Sequence, residues 1–138
     1  MASKMRPNGR SKTAYFIQIP NRCLTSENFK TLSPYACKLL LDAASQFKGY
    51  NNGDLCISWS VMKNRGWRSP ATLDKARKEL VEKGWLILTR QGGRNQCSLY
   101  AISFHKIGDL GSKLDIGPTK QPPNDWLKWK PENNICNT

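Results

Sequence analysis

SPATLDKARKELVEKGWLILTRQGGRNQCSLYAISF, residues 69–104, places a capped helix, a strand, a glycine-rich turn and a second strand in direct succession. Ser69 suits the N-cap, Pro70 suits the first helical position, where a missing N–H costs nothing, and Gly84 marks the end. On a helical wheel Ala76, Arg77, Leu80 and Val81 fall within about 80° of Leu73, while Ala71, Lys75, Lys78 and Glu82 lie opposite. The spacing therefore predicts one buried face and one polar face with two lysines. Arg77 lies on the apolar side, where it is expected to pair with Glu79 or Glu82 or to run its stem along the core. WLILTRQ and QCSLYAISF then read as strands joined by GGRN. Gly92 and Gly93 are expected to supply positive φ and a close backbone approach.

Upstream, AYFIQIP (14–20) alternates large apolar residues as a strand would and stops at Pro20. A helical turn is expected near Ser26–Lys30. Ser33 and Pro34 open a longer helix in which Ala36, Leu39, Leu40, Ala43 and Phe47 recur at helical spacing, Leu32 staples back and Gly49 ends the run. GYNNGD (49–54) reads as a loop and LCIS (55–58) as a short strand. Ser58 or Ser60 can cap a short helix through Val61, Met62 and Lys63 that stops at Gly66. Trp59, Trp67 and Trp85 sit at element boundaries and are expected to pack.

Charge narrows the function. The chain of 138 residues carries a net +12. Residues 1–12 hold four bases and no acid, residues 13–105 hold 13 bases against 6 acids, and residues 106–138 hold 5 against 4. This divides the chain into a basic flexible arm (1–12), one folded domain (13–105) and an irregular Pro-rich tail (106–138) that is either flexible or docked through Trp126 and Trp129. A surplus in the folded part suits a surface that meets phosphate. No apolar run is long enough to span a membrane, and the basic N-terminus lacks the apolar stretch of a secretory signal, so a cytoplasmic protein is expected.

The inventory argues against catalysis. One histidine, His105, stands at a strand end, and no phosphate-loop, zinc-protease or paired-carboxylate motif occurs. The five cysteines, Cys23, Cys37, Cys56, Cys97 and Cys136, include no CxxC pair and read as small buried apolar groups, so no metal and no cofactor is expected.

Helix, short strand, short helix, tight turn, capped helix and hairpin together describe an α+β fold, a winged helix-turn-helix: a three-helix core with a β-hairpin wing. In that motif the second helix of the pair enters the major groove by its N-terminal end, and the wing sets a cation against the backbone. The candidate DNA-binding residues are Arg68, Ser69, Ala71, Thr72, Lys75 and Lys78 on the helix, and Arg90, Arg94 and Asn95 on the hairpin. The plainer alternatives are a solvated lysine face, a Ser69 that only caps, and a GGRN that only turns.

RGWRSPATLDKARKELVEKGWLILTRQGGRNQCSLYAISF (65–104) resembles small proteobacterial winged-helix proteins of plasmids, prophages and integrative elements. TRQGGRN followed by SLYAI is the most specific part, and the resemblance spans about residues 14–105. More distantly, FIQIPN, the LS helix, GYNNGD and IS resemble the N-terminal DNA-binding domain of lambda-type phage replication proteins. The resemblance implies double-stranded DNA binding through residues 68–78 and 90–94. The expected role is a repressor or autoregulator of a mobile element, with a homodimer on DNA. An origin-binding replication factor and a protein-interaction module, such as an inhibitor or adaptor, are the alternatives. No small-molecule ligand is evident.

Overall fold

The computed structural model describes residues 15–130 of the chain. The predicted basic arm and the last residues of the tail lie outside them. Tyr15–Pro20 runs without pairing, so the predicted first strand does not form. Its alternating apolar residues meet no partner strand: Tyr15 and Phe16 are exposed, while Ile17 and Ile19 rest on the core.

Two single-turn helices follow, α1 (Asn21–Leu24) and α2 (Glu27–Lys30). The second is the turn expected at Ser26, whose Oγ accepts from the Phe29 amide at 3.1 Å. The Ser33–Pro34 signal then opens α3 (Pro34–Ala44), where Ser33 Oγ accepts from Ala36 N at 3.1 Å. This helix ends before Phe47, which packs instead on the His105 ring. Its apolar stripe (Ala36, Leu39, Leu40, Ala43) is wholly buried.

Leu55 makes a single antiparallel bridge to Tyr100 rather than the predicted strand. Next come α4 (Trp59–Met62), a 3-10 turn (Lys63–Arg65), and Gly66 in the left-handed region at φ 92°. Ser58 occupies the N-cap of α4, yet its hydroxyl makes no capping bond. The long helix α5 (Pro70–Glu82) buries Leu73, Ala76 and Leu80 against α3. Val81, expected on that buried face, is 38% exposed. It lies at the edge of the apolar stripe, near the helix end.

Glu79 joins the two long helices. Its carboxylate accepts from the Ser33 amide (2.9 Å) and hydroxyl (2.7 Å), so a side chain of α5 holds the start of α3.

The hairpin is β1 (Leu86–Arg90) and β2 (Leu99–Ile102), antiparallel, with Leu88 opposite Tyr100 and Arg90 opposite Leu99. The extra residue, Thr89, makes a bulge. Its hydroxyl donates to Gly53 O at 2.6 Å, and its carbonyl accepts from Asp115 N at 2.7 Å. Among the described residues the architecture is thus α+β, with five α-helices and a two-stranded antiparallel sheet.

Every residue of β2 is buried. Tyr100 and Ile102 face the main core, while Leu99 and Ala101 meet Ile107 and Leu114 from the chain beyond the hairpin. Residues 106–130 contain only 3-10 turns, and they are anchored to the fold by three buried side chains, Ile107, Leu114 and Trp126. Trp126 stacks on Trp85 with centroids 5.3 Å apart and planes 5° apart. Asn28 stitches this stack, donating to the carbonyls of Lys83 (2.8 Å) and Trp126 (2.9 Å) and accepting from Trp85 Nε1 (2.8 Å). Trp129 sits nearer the surface, under the Lys83 ammonium. Close contact explains Gly84 too, since a Cβ there would collide with the Asp125 carbonyl.

Candidate nucleic-acid interface

The start of α5 carries a side-chain cap. Ser69 Oγ accepts from Thr72 N at 3.2 Å, and the first turn holds no acid. Among the described residues no acid in the first turn offsets the positive end of the helix. Tyr35, Lys38, Gly66, Trp67, Arg68, Ser69 and Thr72 line a cleft of about 260 Å³ at this end. Arg68, Ser69 and Thr72 were expected here. Tyr35 and Lys38 come from α3, where helical spacing marks them only as solvent-facing.

Asp42 fixes the turn that precedes α5. It is almost fully buried and accepts from Trp67 Nε1 (2.8 Å), Lys38 Nζ (3.1 Å) and Arg65 Nε (3.0 Å). Burial pushes its carboxyl up, but these three donors outweigh it and hold the group below its ordinary 3.8. Lys38 also donates to Arg65 O at 3.0 Å. One acid on α3 thereby sets the position of Trp67 and of the Arg68–Ser69 corner behind it. Nothing in the hydrophobic pattern marks Asp42, since an acid among apolar residues of a helix reads as exposed until its partners are known.

The polar face of α5 divides. Lys75 is exposed and has no ion pair among the described residues. Lys78 is held by Asp74 at 3.2 Å. Arg77 pairs with Asp74 as well, not with Glu79 or Glu82, because the i−3 carboxylate faces it while Glu79 is engaged at Ser33. Hydrogen bonds from Arg77 and Lys78 keep the Asp74 carboxyl below its usual range. Ala71 is exposed, so a surface can approach the first turn closely.

The hairpin tip is a two-residue turn, Arg94–Asn95, closed by Gly93 N to Gln96 O at 2.9 Å and Gln96 N to Gly93 O at 3.2 Å. Both glycines were expected to carry positive φ; Asn95 carries it instead, at φ 60°. Gly92 has the other expected role. A Cβ there would lie 2.5 Å from Ser98 N, so only glycine lets the two strands approach at this level. Arg94 is exposed and without an ion pair among the described residues. Arg90 turns inward: its Nη2 donates to Cys97 O at 2.9 Å, and its Nε is buried without a partner. Among the described residues no hydrogen bond or ion pair links the tip to α5.

Two cationic points, the Arg68–Ser69–Thr72 corner with Lys75 and the Arg94–Asn95 tip, are thus presented without neutralising partners among the described residues. No cluster of three or more metal-ligating side chains occurs among the described residues, and no helix there is long and apolar enough to cross a membrane. Comparison with protein-family models, with curated proteins and with solved structures gives no match.

Proposed function

We propose that the protein is a sequence-specific double-stranded DNA-binding protein of the winged helix-turn-helix type, acting as a transcriptional regulator of a mobile element. In this reading α4, the Gly66 turn and α5 form the helix-turn-helix, and the hairpin is the wing. The observation that carries it is the first turn of α5: an acid-free helix N-terminus, flanked by Arg68 and followed by an unpaired Lys75 one turn on.

Such an end has two ways to meet DNA. Its amides and Arg68 attract a phosphate, which sets register, while Ala71 and Thr72 are small enough to let the helix seat against base edges. Lys75 adds a phosphate contact. Arg94 and Asn95 reach a second stretch of backbone from the tip of the wing. Lys78 and Arg90 contribute less, because Asp74 and the Cys97 carbonyl already occupy them.

Footprinting on DNA of the element that carries the gene tests the reading, combined with duplex affinity against salt. A protected operator at a promoter is expected, with log K falling against log salt at a slope of about −3 or steeper. Protection of an array of origin repeats would make the protein a replication factor. Protection of no duplex, with a protein recovered as partner instead, would replace the DNA reading altogether.

A further inference from the structure

Cys56 and Cys97 bring their sulfurs to 3.2 Å. Cys56 follows the Leu55–Tyr100 bridge, and Cys97 lies two residues before β2. Both are partly exposed, and Cys97 lines the cleft of about 380 Å³ between α5 and the hairpin. The Ser58 hydroxyl stands 3.4 Å from Cys56 Sγ, and the Arg90 guanidinium is held beside the pair by its bond to Cys97 O. Sequence spacing reads these thiols as separate apolar groups; the fold makes them neighbours across 41 positions.

We propose that Cys56 and Cys97 form a thiol modification site, a dithiol that hydrogen peroxide oxidises to an intramolecular disulfide. The arrangement divides the roles. Burial pushes the Cys56 thiol up, but the hydroxyl and amide of Ser58, the Cys97 thiol and the Arg90 charge outweigh it, and the net direction is down. The Cys97 thiol is pushed up, first by its hydrogen bond with Cys56 and then by burial, so it keeps its proton. Cys56 is the attacking sulfur and Cys97 the resolving one.

In the first step the Cys56 thiolate attacks one peroxide oxygen. The S–O bond forms as the O–O bond breaks, and hydroxide leaves and takes up a proton to become water. Cys56 is now a sulfenic acid, and the peroxide has accepted two electrons. Next the Cys97 sulfur attacks Cys56 Sγ. The S–S bond forms, the S–O bond breaks, and the departing hydroxide carries off the Cys97 proton as a second water. Two thiols and one peroxide give one disulfide and two waters.

Cys23 and Cys37 provide the contrast. Burial pushes both thiols up, and neither has a sulfur partner among the described residues. A 56–97 disulfide closes a loop that contains α4, α5 and β1, and it ties the tip end of the hairpin, just before β2, to the segment leading into α4. Oxidation of this pair does not depend on DNA binding.

The test treats the full-length reduced protein with hydrogen peroxide near equimolar, alkylates the remaining thiols, and maps linkages by mass spectrometry without reduction. The expected result is loss of two thiols per chain, a linked peptide pair containing Cys56 and Cys97, and full reversal by dithiol reductant. The melting temperature should rise by about 5 °C or more on oxidation. C97S should leave a sulfenic acid at Cys56 that dimedone labels, C56S should abolish both products, and C37S should change neither. Free alkylation of both thiols after peroxide, or linkage through Cys37, Cys136 or a second chain, would overturn the proposal. If either serine variant fails to fold, the wild-type linkage map still decides.

Discussion

Where Trp85 meets Trp126, each polar atom of Asn28 has a partner and the aromatic rings are sealed from water. At the start of α5 and at the hairpin tip the opposite holds: Arg68, Lys75 and Arg94 are exposed, with no acid among the described residues set against them. Both regions are rich in large or charged side chains, yet only the first is self-sufficient. Partnered groups define the fold, and unpartnered cations are what remains available to another molecule. Asp42 lies between the two regions in character, because it is fully partnered but its purpose is to hold the corner that presents Arg68.

The sharpest way to break this contrast is Trp85→Ala. Removing a fully buried indole, together with its stack on Trp126 and its bond to Asn28, should cost about 3–5 kcal/mol of stability. Denaturant titration measures it. Duplex affinity of the fraction that remains folded should hold.

Asp42→Ala should come next, at about 2–4 kcal/mol, since Trp67 Nε1 loses its acceptor and two cations lose their shared carboxylate. Unlike the tryptophan change, it should also weaken duplex binding in the folded protein, because the Arg68–Ser69 corner loses its anchor. The same residue carries a pH signature. Its folded pKa lies below the ordinary 3.8, so its contribution is present above about pH 4 and disappears as pH falls through the folded value. Stability of the wild type and of Asp42→Asn, followed by thermal melts, should converge below that point.

Lys75→Ala and Arg94→Ala should leave stability within about 0.5 kcal/mol of the wild type. Each should weaken duplex affinity by about 5- to 10-fold and flatten the salt slope by about 1. Unchanged affinity in both would dissolve the contrast from the functional side. The smallest effects belong to the paired cation. Lys78→Ala should alter affinity less than Lys75→Ala, and Asp74→Ala should tighten binding by about twofold to fivefold at low salt by freeing Lys78 and Arg77.

The two long helices, their caps and the hairpin were legible because each depends on local signals: Ser33–Pro34, Ser69–Pro70 and a 3.6-residue apolar period act within one turn of the chain. The candidate corner at Arg68, Ser69 and Thr72 was legible for the same reason. Val81, at the margin of that periodicity, shows its limit, since an edge position is covered only where a tertiary neighbour reaches it. Asn95 rather than a glycine takes the left-handed turn because closure between Gly93 and Gln96 sets which residue sits at the tip.

Sequence alone determined the α+β pattern, the cationic surplus and the start of α5, all products of short-range stereochemistry and composition. Tertiary structure decided three further matters: that Ile107 and Leu114 cover the outer face of β2, that Asp42 anchors the Arg68 corner, and that Cys56 meets Cys97. Each depends on groups separated by tens of residues. Their meeting follows from which surfaces must be buried together, and no local period records that.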